Sequence, residues 1–79
     1  MGLAPGEADE WLPATRGEAN LILRNDEAAF DAYRQFVEAN SGDPWKVGSA
    51  YLNARTIAKE YGDRGLARKL GEIFGDPNP

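Results

Sequence analysis

Apolar positions recur at helical spacing through the C-terminal two-thirds of this chain and thin out toward its start. Between residues 26 and 39, Ala29, Phe30, Tyr33, Phe36 and Val37 share one helical face, while Asp31, Arg34, Gln35 and Glu38 point away. From 44 to 61 the stripe is Val47, Ala50, Tyr51, Ala54, Ala58 and Tyr61, with Ile57 on its flank. Ala50, Ala54 and Ala58 stand four apart and make a smooth ridge that a second helix can approach closely. Leu52 falls off this stripe, beside Arg55, Thr56 and Lys59, and reads as an apolar spot outside the core unless the next helix covers it. From 64 to 74 the apolar set is Leu66, Ala67, Leu70, Ile73 and Phe74, weakened by Gly65 and Gly71, so packing must hold that helix.

The junctions between these stretches carry stop and start signals. Asn25 or Asp26 is a suitable first cap, with Glu27 adding charge that favours a helix start. In Ser41-Gly42-Asp43-Pro44-Trp45 and Tyr61-Gly62-Asp63-Arg64, a glycine can end one helix in a left-handed conformation and the following Asp can cap the next. Pro44 then sits at a first helical position, where no N–H is needed. Gly75 is a third stop, and Asp76-Pro77-Asn78-Pro79 does not continue a helix. The expectation is an all-α domain of three helices, about 26–39, 44–61 and 64–74, occupying residues 25–79.

Residues 1–24 lack such a pattern. Pro5, Gly6, Pro13 and Gly17 interrupt them, and Glu7 to Leu12 offers at most a turn or two of helix before Pro13. Leu21-Ile22-Leu23 has no stripe. This segment reads as an extended or irregular N-terminal arm. Trp11 and Leu12 are its one bulky apolar point, and two roles suit them: folding back to close a small core, or anchoring in another protein's groove.

Composition narrows the function. Seventy-nine residues make one small domain, which buries about 60 % of its unfolded surface. With neither Cys nor His there is no disulfide, and a zinc site would lack its two commonest ligands, so no metal or cofactor is expected. No stretch approaches the roughly 20 apolar residues of a membrane span. Met1 to Pro5 lacks the basic start and apolar core of a secretion signal, so the expected setting is the cytoplasm or a larger assembly such as a virion. The net charge of −4 is unevenly spread: residues 1–43 carry nine acids and three bases, residues 44–79 four acids and six bases. Helix-dipole preference accounts for such a pattern, and so does a surface made for head-to-tail contact or for two partners.

Two motifs resemble known ones. Ile57 to Gly62 followed by a helix bearing Arg64, Arg68 and Lys69 resembles a helix-turn-helix, but Asp63 stands where an apolar residue normally packs the corner, and the chain is acidic overall. Residues 51–79 resemble one tetratricopeptide-type hairpin in Tyr51, Ala54, Ala58, Gly62-Asp63 and Ala67. No second copy exists to bury its face, so the likeness reads as the shared grammar of tight helical hairpins. For catalysis, the commonest general base and the strongest nucleophile are missing, and the adjacent carboxylates Asp9-Glu10 and Asp26-Glu27 diverge on a helix. An enzyme is not expected. The sequence points to a non-catalytic interaction or structural accessory subunit, in which a phage-type component would fit. Its expected contacts with a protein partner or a second copy run through Trp11, Leu12, Leu52, Arg64, Arg68 and Lys69. The alternatives are an acidic inhibitor that imitates nucleic-acid charge and a DNA-binding regulator.

Overall fold

The computed structural model describes residues 5–76, with side-chain surroundings given from residue 11 onward. These residues form four helices: α1 (Pro5–Ile22), α2 (Asp26–Ala39), α3 (Pro44–Tyr61) and α4 (Arg64–Phe74). Helix α1 packs along α2 and α3 along α4, giving two hairpins. Further contacts of α1 with α3 and of α2 with α4 close the circuit α1–α2–α4–α3.

The expected arm is therefore a helix, and the correction has a physical cause. Pro13 lies inside α1, where a proline loses one backbone hydrogen bond and crowds the preceding turn, at a cost of about 3 kcal/mol. Burial offsets this. Trp11, Ala14, Gly17 and Leu21 lie on one side of α1, with Ala14, Gly17 and Leu21 buried and Trp11 half-buried. Gly17 lets the two helices meet. A Cβ there would lie 2.7 Å from Cζ of Tyr33, so the Tyr33 ring occupies the space that any other residue would fill. The apolar side of α1 leaves little hydropathic pattern because two of its four members are Ala and Gly.

The main core joins Leu21, Ala29, Phe30, Tyr33, Ala54, Ala58, Leu66 and Leu70, and a smaller cluster of Ala14, Phe36 and Ala50 lies against Trp11 and Phe74. Val37, which shares the apolar face of α2 by spacing, is only half-buried; Phe36, one position earlier, is fully buried beneath α1. Tyr51 and Phe74 stack at the edge with ring centroids 5.0 Å apart, and the Tyr51 hydroxyl donates to Asp76 at 2.7 Å. The Tyr33 hydroxyl is buried without a hydrogen-bond partner among the described residues.

Three helices end in the same closure. A residue just past the helix, the first at α3 and α4 and the second at α1, adopts a left-handed conformation and donates to a carbonyl three back, while the next residue donates five back. Gly62 (φ 66°) does this at α3 and Gly75 (φ 76°) at α4, as Gly62 N–H to Lys59 and Asp63 N–H to Ala58, then Gly75 N–H to Glu72 and Asp76 N–H to Gly71. At α1 the left-handed residue is Arg24 (φ 60°), a conformation uncommon outside glycine. Helix α2 ends differently. Asn40 keeps a negative φ and both its backbone N–H and its side-chain amide donate to the Phe36 carbonyl. Gly42 does not take the left-handed conformation expected of it. At the starts of α3 and α4, the carboxylates of Asp43 and Asp63 accept from the backbone N–H groups of Lys46 and Leu66. The side chain of Asn25 makes no such bond at α2.

Candidate interaction surface

The six residues singled out by sequence do not converge. Trp11 and Leu12 are on α1, Leu52 on α3, and Arg64, Arg68 and Lys69 on α4. Trp11 is taken up by its own chain: its ring lies 5.5 Å from that of Phe36, tilted by 32°, and the Lys46 ammonium lies 5.9 Å from its centroid. The segment around it is thus ordered by intramolecular packing, not left as an arm for a partner to order. Leu12, one position on, is exposed, as are Arg64 and Arg68, and Lys69 is half-buried.

The outer side of α3 carries two of the three most exposed large apolar residues in the described chain. Leu52 is 65 % exposed and Trp45 is 74 % exposed. Seven residues apart, they stand on one face, with Gly48 between them at helical spacing. Nothing lies within 4 Å of the position a Cβ on Gly48 would occupy, so packing inside the chain does not require glycine there. Its cost of about 1 kcal/mol relative to Ala has no internal return. Arg55 and Lys59 continue the line, both exposed and neither in an ion pair among the described residues. Sequence reading missed Trp45, whose position looked like a helix start; the available signal was its seven-residue spacing from Leu52.

A polar cluster joins the two hairpins at one end. The Arg24 guanidinium donates from Nε and Nη2 to Asp26 at 3.1 and 2.9 Å, and from Nη2 to Asp63 at 3.0 Å. It lies 4.9 Å over the Tyr61 ring, and the Tyr61 hydroxyl donates to the Ile22 carbonyl. The Arg24 hydrogen bond holds Asp26 below the usual carboxylate range. For Asp63 the backbone N–H of Leu66 acts first and Arg24 second, again lowering it. Burial, with the charge of Glu18 nearby, pushes the Tyr33 phenol up. Arg24, Asp26 and Asp63 serve one another: each charge in the cluster is committed to holding the turns together.

No helix among the described residues is long and apolar enough to cross a membrane. No family model, no curated protein and no solved structure matches this chain.

Proposed function

We propose that this chain is a non-catalytic protein–protein interaction module, a small subunit of a larger assembly. The observation that carries this reading is the outer face of α3, where Trp45 and Leu52 lie bare on either side of an uncrowded Gly48. Trp is prominent among residues that dominate binding, and contiguous apolar surface on a small protein marks a contact site. A glycine on such a face lets another backbone approach closely. The reading as a nucleic-acid mimic has less support, because arginines are interspersed with the acids: Arg34 pairs with Asp31 at 3.1 Å and Arg24 with Asp26 at 2.9 Å. A DNA-reading role for Arg64, Arg68 and Lys69 has the acidic chain against it.

The test is a photo-activatable side chain placed at position 52 and, as control, at exposed Gln35 on α2, in the host that makes the protein. Adducts formed at 52 and not at 35 are expected. Equal labelling at both positions, or none at either, contradicts the reading.

A further inference from the structure

We infer that two copies of this chain exchange α1: the α1–α2 hairpin opens at residues 23–25 into one unbroken helix, and each α1 docks on α2 and α3 of the other copy. The outer face of α3 takes no part in the exchange.

The contacts of the hairpin are symmetric about one residue. The Tyr33 ring lies over Gly17, Leu21 and Ala29 share the main core, and Ala14 and Phe36 share the smaller cluster. Gly17 and Tyr33 are each eight residues from Asn25, Leu21 and Ala29 four, and Ala14 and Phe36 eleven. Two unbroken helices laid antiparallel and crossing at Asn25 therefore bring every one of these pairs together again, one member from each copy. The seam also runs through the hinge. Ala14, Glu18, Leu21, Asn25, Ala29 and Ala32 follow one another at steps of three and four, so all six share one side of a continuous helix. Asn25 is the one exposed residue of the six in the single chain. Its side chain caps nothing and reaches only Asn20, at 3.4 Å. In the exchanged pair it faces its own counterpart on the two-fold axis, where an asparagine in an apolar seam fixes register and chain number. Ile22, 57 % exposed in the single chain, falls at the edge of that crossing.

Since the same side-chain pairs form in both states, the hinge decides between them. Three residues join α1 to α2, and Arg24 takes φ 60° there without glycine's freedom. Short hinges under strain invite exchange. Straightening returns Arg24 to a helical φ and offers the Ile22 carbonyl to the N–H of Asp26, at a helix start that no side chain caps. Opposing this, the closed turn is latched: Arg24 pairs with Asp26, and the Tyr61 hydroxyl holds that same Ile22 carbonyl. Residues two apart on a helix point away from each other, so opening breaks the Arg24–Asp26 pair.

Two variants separate hinge conformation from latch. Arg24→Ala and Arg24→Gly both remove the guanidinium, but alanine favours the helix and resists φ 60°, whereas glycine reverses both preferences. With two hinges in each dimer, their dissociation constants are expected to differ on the order of a thousandfold. After refolding at about 1 mM, comparable to the effective concentration of a tethered segment, Arg24→Ala is expected to sediment at twice the 8.6 kDa of one chain and Arg24→Gly at one. Spin labels at exposed Thr15 and Gln35, each ten residues from Asn25, stand at the same level of the closed hairpin. In a labelled Arg24→Ala chain diluted with unlabelled copies they are expected about 30 Å apart, the length of twenty helical residues. In Arg24→Gly they are expected at the separation of two packed helices, whose axes lie about 10 Å apart. Arg24→Ala found at one-chain mass, folded or unfolded, overturns the proposal, and so does equal association of the two variants. A two-chain Arg24→Ala species that keeps the short label distance is a face-to-face dimer and overturns it as well.

Discussion

The two hairpins reach the same architecture by different routes. In α3–α4, the chain spells out its own boundaries: Asp43 and Pro44 begin a helix, Gly62 ends it, Asp63 begins the next and Gly75 ends that. In α1–α2, local signals are weak or adverse. Pro13 interrupts α1, Arg24 takes a left-handed φ without glycine's freedom, and the side chain of Asn25 makes no capping bond. What forms that hairpin is contact at a distance in sequence: the Tyr33 ring over Gly17, Phe36 under Trp11, and Leu21 in the common core. One hairpin is specified residue by residue; the other is specified by what it packs against.

The largest expected effect probes the packed hairpin. Phe36 is fully buried, and Phe36→Ala is expected to cost about 3–5 kcal/mol in denaturant unfolding, with loss of the Trp11 environment. A midpoint unchanged from wild type would mean that α1 does not lie on α2. Next is Gly17→Val, whose added atoms meet the Tyr33 ring. It is expected to cost about 1–3 kcal/mol, to lower protection from hydrogen exchange along α1 first, and to leave α3 and α4 the better protected.

The locally specified hairpin is sharpened by Gly62→Ala. A Cβ at φ 66° meets no neighbour, so its cost is conformational only, about 1 kcal/mol. An equal cost from an exposed helical site such as Gly48→Ala would contradict the left-handed cap; that change is expected to be neutral or stabilising for the monomer.

The smallest effect concerns the seam between hairpins. Asp26 and Asp63 have lowered folded pKa values. Their contribution is therefore present above the unfolded carboxylate value near 4 and is lost as pH falls below it through the folded values. Arg24→Gln is expected to reduce stability at neutral pH, with the difference from wild type shrinking on acidification and in high salt. A difference that stays constant from pH 7 to pH 2 would show that the guanidinium charge does not carry it.

These two routes also explain which parts of the molecule were legible in the sequence. The starts and stops of α3 and α4 are readable because Asp43, Asp63, Gly62 and Gly75 act on their own neighbours, and α2 is readable from the spacing of its apolar face. Helix α1 is not, because its buried side uses Ala14 and Gly17, residues with no hydropathic signature, and because Pro13 argues locally for a break. The candidate surface divides in the same way. Leu52 stood out by falling off the α3 stripe. Trp45 did not, because next to Pro44 it reads as part of a helix start, and Trp11 drew attention that its packing on Phe36 withdraws.

That α1 is folded by its own chain rests most directly on Trp11, and Trp45→Phe leaves it as the single tryptophan. In dilute solution, where copies do not meet, its emission is expected to be blue-shifted and partly shielded from a soluble quencher, with the shielding lost in Gly17→Val. Emission and quenching equal to those of a free tryptophan, unchanged by Gly17→Val, would return residues 5–22 to a loose arm and contradict the four-helix account.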